Sequence, residues 1–290
     1  MKVAGFTFIR NAIKYDYPIV EAIKSILPIC DEFVVAVGNS DDSTLDLIKN
    51  IDKEKIRIIE TVWDDTLREG GKVLAVETDK AFNAVSSDAD WAFYIQGDEV
   101  VHEKYLDTIY SEMQKYKDDI KVDGLLFKYM HFYGSYDYVG NSYRWYRREI
   151  RVVKNNKKIY SYRDAQGFRK NINQKLNVKL IDAYVYHYGW VKDPRAMQGK
   201  QETFNKLWHD DDWMKKNVAK SDEFDYSNIN SLKHFEGTHP AVMASRIKQS
   251  NWKFDYDISY NKVSAKEFCK RIVEKITGIR VGEYKNYKIV

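Results

Sequence analysis

Cysteine is nearly absent from this chain: there are two in 290 residues, Cys30 and Cys269, far apart and each inside an apolar stretch. That excludes a disulfide framework and a CxxC metal site, and it makes a reducing cytosol the expected compartment. Proline is scarce too, with four residues, and no Pro/Gly/Ser-rich linker, internal repeat or low-complexity tract interrupts the chain. A content of 44% apolar and 31% charged residues excludes disordered and fibrous classes. No stretch reaches the roughly 18 apolar residues of a membrane span, and the opening run Val3 to Ile9 is too short for a signal-peptide core. The expectation is a cytoplasmic protein without its own export signal or membrane span. Excess charge of one sign is also missing. The 47 Lys+Arg face 43 Asp+Glu, and a net +4 argues against a nucleic-acid-coating protein while leaving small anionic ligands open.

What is present is a repeated alternation of short apolar runs and amphipathic stretches. Val3 to Ile9 reads as a strand, and Asp16-Tyr17-Pro18, with Asp as cap and an early Pro, opens a helix ending near Leu27-Pro28. Phe33 to Val37 is a buried-strand pattern that exits into the polar run Gly38 to Thr44, before a helical face at Leu45, Leu47 and Ile48. Lys55 to Glu60 supplies a third strand, Val73 to Val85 a third helix, and Trp91 to Ile95 a fourth strand that exits into Gln96-Gly97-Asp98-Glu99. Four βα repeats in about 100 residues predict a mostly parallel α/β sheet covered by helices, with ligands at the strands' C-terminal ends.

After a helix from Glu103 to Tyr116 the pattern turns to aromatic and basic strands, Gly124 to Phe132, Tyr143 to Val153 and Val178 to Tyr188, so the second half reads as mixed. Asp193 to about Lys216 is helical and 221–237 is loop-like. A last helix opens on the capping box Ser264 to Glu267 and stops at Gly278. A boundary near Trp190 divides the chain into a ligand-binding part, residues 1–190, and a helical extension, residues 191–290.

Four strand ends carry unusual polar residues: Arg10-Asn11, Asn39 to Ser43, Gln96 to Glu99, and His187. Adjacent carboxylates directly after a buried strand, as at Asp98-Glu99, repel each other and resist desolvation, so a cation or a set of backbone donors is the usual reason for tolerating them. A strand-exit turn with a capping Asp is the alternative. In Tyr184 to Trp190 the residues alternate, placing His187 with Val185 and Gly189 on the face opposite the four aromatics. The basic stretch Arg144 to Lys158, seven cations and one acid, Glu149, reads as ordinary strands with a solvated face rather than a nucleic-acid patch. The 22 tyrosines, dense between Tyr129 and Tyr138, suit either stacking on sugar rings or packing of sheets.

Ala89 to Val100, read ADWAFYIQGDEV, resembles the segment of family 2-type glycosyltransferases in which a buried strand beginning with Trp leads to a metal-binding DxD followed by Glu. Asp79 to Ala84 resembles the helix before it, with Lys80 where those enzymes often carry Arg. Val35 to Ile48 resembles their second strand and its polar loop, and Phe6 to Asn11 their first strand. The resemblance covers roughly residues 3 to 190 and lies in the order and spacing of these pieces. It implies a GT-A fold, Rossmann-like with a mixed second half, that moves a sugar from a nucleoside-diphosphate donor to an acceptor hydroxyl with inversion, assisted by Mn2+ or Mg2+. Acceptors of such enzymes include saccharides, lipid-linked glycans and other surface polymers, so a place in polysaccharide biosynthesis and contact with the inner membrane face are compatible with it.

Carried onto this sequence, the resemblance implies Asp98, Glu99 and His187 for the cation, with a hydrogen-bonded structural histidine as the other reading of His187. Arg10, Asn11, Asn39, Asp41, Asp42, Lys80 and Gln96 are implied for the nucleotide, and Asp42 or Ser43 is equally a helix cap. The pattern departs at Gln96, which replaces the first DxD acid, and at Gly38, which replaces the acid usual after the second strand. The acceptor-side base falls in Tyr160 to Asp164, where Asp164 is the candidate and Glu149 the alternative; Arg163 pairing with Asp164 at the surface is the competing reading. Two other functions stay open. One is a nucleotidyltransferase, although Phe8-Ile9-Arg10-Asn11-Ala12 lacks the Gly-rich phosphate loop of that class. The other is a catalytically silent nucleotide- or sugar-binding module.

Overall fold

The buried run Val3–Ile9 forms strand β1, and the next three apolar runs form β2 (Glu32–Gly38), β3 (Ile56–Thr61) and β4 (Trp91–Tyr94), in a computed structural model that describes residues 1–67, 69–209, 211–217 and 221–290. The amphipathic stretches between them form α1 (Ile19–Ile26), α2 (Thr44–Lys49) and α3 (Lys72–Asn83). All four strands pair in parallel, in the order β3-β2-β1-β4. Their alternation serves two cores. Phe33, Val35 and Val37 pack on one side with Ile19, Ile23 and Ile26 of α1, while Val34 and Ala36 pack on the other with Val73, Ala81 and Phe82 of α3.

The sheet continues through β5 (Glu99–Val101), α4 (Leu106–Tyr116), β6 (Gly124–Tyr133), β7 (Ser135–Gly140), β8 (Arg148–Lys154), β9 (Ile159–Tyr162), β10 (Gly167–Lys170) and the long β11 (Gln174–Trp190). The main path runs β3-β2-β1-β4-β8-β6-β11-β10-β9. β8 lies antiparallel to both β4 and β6, and β6 is parallel to β11. β5 pairs antiparallel with β11, which sets Glu99 opposite His187.

Beyond Trp190 come α5 (Pro194–Lys206), α6 (Asp211–Asn217), β12 (Leu232–His234), α7 (Ala244–Lys248), α8 (Ala265–Thr277) and β13 (Tyr287–Ile289). This region is helical as expected, yet it returns two strands to the sheet, β12 to β7 and β13 to β11. The cap of α8 forms as read, with Ser264 Oγ accepting the Glu267 N–H and Gly278 in the left-handed region at φ 68°.

Several local readings differ. Asp16 does not cap α1: the N-cap position is Pro18, while Asp16 sits at φ 47° with its carboxylate on Arg246. The stretch read as one helix to Lys216 is broken after Lys206 into α5 and α6. β8 begins at Arg148, because Trp145 turns inward against Tyr133 and His131 instead of extending the strand. The tyrosines at 129, 133, 136 and 138 are buried and pack the sheet. No helix among the described residues is long and apolar enough to cross a membrane, and both cysteines are free.

Candidate active site

The C-terminal ends of β1, β2 and β4 open into a cleft of about 1100 Å³, closed on another side by α5 and by the turn between β9 and β10. Arg10, Asn11, Asp41, Gln96, Asp98, Asp164 and His187 all line it. Asn39, Asp42, Lys80, Glu99 and Glu149 do not, and each has a local reason.

Asn39 supports its neighbours: its carbonyl accepts Arg10 Nε at 3.0 Å and its side chain accepts the Trp63 N–H at 3.1 Å. Asp42 ties the turn before α2, accepting the N–H groups of Lys14 and Thr44 at 2.8 and 2.9 Å. Lys80 pairs with the buried Glu77 at 2.6 Å on α3. Glu99 follows the turn Gly97-Asp98, which its N–H closes onto the Gln96 carbonyl at 3.0 Å, and opens β5 with its side chain directed away from the cleft. There Arg151 grips both of its oxygens, at 2.7 and 2.8 Å, Tyr129 Oη donates to one at 2.7 Å, and both ion-pair partners are fully buried. The carboxylate pair at the strand exit is thus divided, with one acid facing the cleft and one forming a buried ion pair that joins β5 to β8.

The wall at the ends of β1 and β2 is built on a left-handed Asn11, φ 54°, whose Oδ1 accepts the Asp41 N–H at 2.9 Å. Arg10 bonds Asp65 at 2.7 Å and lies 5.5 Å above the Trp63 ring. Trp63 explains the missing acid at position 38: a Cβ on Gly38 would stand 2.3 Å from Trp63 Nε1, so only glycine admits the ring. Gly189 is needed for the same reason, since its Cβ would fall 2.7 Å from Asp98 Oδ2 and from His187.

Asp98 is the centre of the site. Its Oδ2 accepts Lys200 Nζ at 3.0 Å, and its Oδ1 lies 3.8 Å from His187 Nε2. Burial opposes ionisation of Asp98, but the Lys200 ammonium, as a nearby charge and a hydrogen-bond donor, outweighs it and holds the carboxyl well below the usual range. Burial pushes His187 and His131 below the ordinary imidazole range, and both are neutral at pH 7. His131 Nε2 lies 2.8 Å from the Tyr146 carbonyl, an acceptor only, so it carries the proton; its Nδ1 then accepts from His187 Nδ1 at 3.2 Å. The His187 Nε2 lone pair is left facing Asp98.

That arrangement bears on the divalent cation. A lone pair and a carboxylate oxygen facing each other suit a cation bound to both, and the His131 hydrogen bond that fixes the tautomer is the usual support of a metal-bound imidazole. Asp98 and His187 therefore fit a cation. They are two donors only, and among the described residues no group of three or more His, Cys, Asp or Glu gathers to hold a metal ion. Such an ion would need its remaining ligands from a ligand's oxygens.

Asp164 stands on the β9–β10 turn between two non-glycine residues in the left-handed region, Arg163 at φ 58° and Ala165 at φ 64°. Strain of this kind persists only where the surroundings fix it. Gln96 Nε2 donates to Ala165 O at 3.1 Å, Arg151 Nη1 donates to Gln166 O at 3.0 Å, and Gln166 Nε2 donates to Glu149 Oε1 at 2.7 Å. Arg163 stacks over Tyr162 and Tyr284 rather than pairing with Asp164. Burial, ahead of the backbone donors at the turn, pushes the Asp164 carboxyl above its ordinary range.

Glu149 acts on this turn through Gln166, and burial, partly opposed by Arg151, pushes its carboxyl up to about 8. The folded pKa exceeds the ordinary value, so the stability tied to the protonated form is present at acid pH and lost as pH rises through about 8. Glu149→Gln is expected to remove that loss, with the gain in melting temperature over the parent larger at about pH 9 than at about pH 5. Equal gains at both pH values would show that Glu149 is ionised in the folded protein.

Sequence reasoning missed Trp63, Arg151, Gln166 and Lys200. Trp63 follows a strand end and was accessible to the same logic as Arg10; the other three carry no local signal.

The strand order, with one antiparallel strand inserted beside β4 and the cleft at the parallel strands' ends, defines an α/β fold of the GT-A type. No family model matches the sequence, and no curated protein matches it. Among solved structures the chain is similar to an S. aureus TarS fragment, at 15% identity and a TM-score of 0.41, over 77% of this chain and 67% of that one. It is also similar to glucosyl-3-phosphoglycerate synthase from Mycobacterium tuberculosis, in complex with Mn2+ and UDP, at 18% identity and a TM-score of 0.30, over 46% and 45%. A third is 4-diphosphocytidyl-2C-methyl-D-erythritol synthase from Anaerococcus prevotii, at 10% identity and a TM-score of 0.33, over 53% and 70%. The chain spans 39% of the longer TarS structure and under half of the glucosyl synthase. These likenesses are distant; the fold class rests on the strand order.

Proposed function

We propose that the protein transfers a sugar from a nucleoside-diphosphate donor to an acceptor hydroxyl, with inversion at the sugar carbon. One observation carries this reading: Asp164, the strand-end residues Arg10, Asn11 and Asp41, and the Asp98–His187 pair all line one cleft of about 1100 Å³. Trp63 and Arg10 flank the base and phosphates, Asn11 and Asp41 face the ribose, and Gln96 links the donor floor to the Asp164 turn. In the reaction the bond from the sugar carbon to the diphosphate oxygen breaks, its electron pair staying on the diphosphate. The acceptor oxygen bonds to the same carbon from the opposite side, and its proton passes to Asp164. A divalent cation held by Asp98 and His187 would neutralise charge that develops on the leaving diphosphate. A saccharide, lipid-linked glycan or other surface polymer is the acceptor class, and the helical region after Trp190, whose α5 lines the cleft, borders the acceptor side.

The donor is identified by a thermal-shift panel of nucleoside diphosphates and their sugar derivatives, each with Mn2+ and with EDTA. A ligand at about 100 times its Kd adds roughly 2.7 kcal/mol, so one base is expected to raise the melting temperature by several degrees. A panel without any shift would remove the reading. A nucleotidyltransferase would instead respond to nucleoside triphosphates.

A further inference from the structure

Lys200 lies in a helix of the C-terminal region, yet its ammonium reaches the centre of the cleft. It donates to Asp98 Oδ2 and to the Gly189 carbonyl, both at 3.0 Å, and sits 4.9 Å from the centre of the Tyr17 ring. Its side chain is 10% exposed, and it lines the cleft beside His187 and Gly189. Two other cations of the cleft lining are differently placed. Arg10 and Lys14 pair with Asp65 and Asp41, which are more than half exposed, so those pairs belong to the solvated rim.

One carboxylate therefore serves two positions for positive charge. Oδ2 holds Lys200, and Oδ1 faces the His187 lone pair, where a divalent cation fits. The charges of Asp98 and Lys200 cancel. A divalent cation added to that pair leaves two uncompensated positive charges in a buried site, which is unfavourable. A nucleoside-diphosphate sugar carries roughly two negative charges, and its phosphate oxygens supply the ligands that the protein lacks.

We propose that Lys200 is a binding residue for the donor diphosphate and makes cation binding at Asp98 conditional on that diphosphate, so that metal and nucleotide enter the site together. This rests on the glycosyl-transfer reading and specifies its binding order. Lys200 opposes a divalent cation that arrives alone, and it adds a hydrogen-bonded positive charge to the diphosphate once that ligand is present. Binding energies of the two ligands are coupled, and each tightens the other by the same factor.

Calorimetry on the full chain tests this with Mn2+ alone, with each of UDP, GDP, CDP and ADP in EDTA, and with each nucleotide plus Mn2+. In the parent, Mn2+ alone is expected to bind at least about tenfold more weakly than in the presence of the preferred nucleoside diphosphate. Lys200→Met is expected to tighten Mn2+ alone by about tenfold and to weaken the nucleotide in EDTA by about tenfold, whereas Lys200→Arg keeps both close to the parent. Parent protein that binds Mn2+ equally with and without nucleotide overturns the proposal, and this arm needs no variant. A folded Lys200→Met with both affinities unchanged also overturns it and shows Lys200 to be a structural tie between α5 and the sheet. Either result leaves sugar transfer standing. Absence of any nucleotide binding, with or without Mn2+, removes both readings.

Discussion

Asp164→Asn is expected to retain the fold and the affinity for the nucleoside diphosphate while losing sugar transfer by about a hundredfold or more, the usual scale for loss of a general base. The expectation follows from how the turn is held. Arg163 and Ala165 occupy left-handed backbone, and Gln96, Arg151 and Gln166 fix the turn through three hydrogen bonds that do not involve the Asp164 carboxylate. The amide variant keeps that scaffold and removes only the ability to take a proton. Because burial raises the Asp164 pKa, the parent's transfer rate should fall as pH drops through that raised value, and Asp164→Asn should lack this limb. Glu149→Gln should stay within a few-fold of the parent, since Glu149 lies outside the cleft and touches the turn through Gln166. Transfer by Asp164→Asn within a few-fold of the parent, at saturating donor, would move the base elsewhere.

The second large effect concerns stability. Arg151→Met removes one partner of a fully buried ion pair and leaves the Glu99 carboxylate with Tyr129 and the Gln96 N–H alone. Breaking such a pair costs about 3–5 kcal/mol, because an uncompensated charge stays buried. A melting temperature roughly 10 °C or more below the parent is expected. The double variant Glu99→Met/Arg151→Met removes both charges and should recover part of that loss. A melting temperature for Arg151→Met within about 2 °C of the parent would mean that Glu99 reaches solvent or another cation.

The parallel half of the fold was legible because β1, β2 and β4 are buried on both faces and read as continuous apolar runs, and their polar exits marked Arg10, Asn11 and Asp98. Where two acids met at one exit, the sequence could not tell them apart. Which of Asp98 and Glu99 faces the cleft depends on Arg151, 52 residues away, and on the register of β5 against β11. The glycine at position 38 read as a missing acid, yet it makes room for Trp63, a contact between two strand ends that no local pattern encodes. Asn39 and Asp42 have the residue types of ligand contacts and the geometry of turn supports, a distinction set by which backbone N–H groups lie nearby. Lys200 was the least legible residue of all. Its partner is 102 residues earlier, and a lysine in an amphipathic helix ordinarily points to water. The short strands β5, β7, β9, β10, β12 and β13 were missed for a related reason, since each is defined by its pairing rather than by an apolar run of its own.

The most direct test of the account is the fate of the donor. The protein is incubated with the nucleotide sugar selected by thermal shift and with a pool of saccharide and lipid-linked acceptors, and free nucleoside diphosphate and the anomeric configuration of the product are followed by NMR. The account predicts stoichiometric release of nucleoside diphosphate with a glycoside of inverted configuration, both lost in Asp164→Asn. Release of pyrophosphate from a triphosphate, or no turnover of a donor that binds tightly, would contradict it.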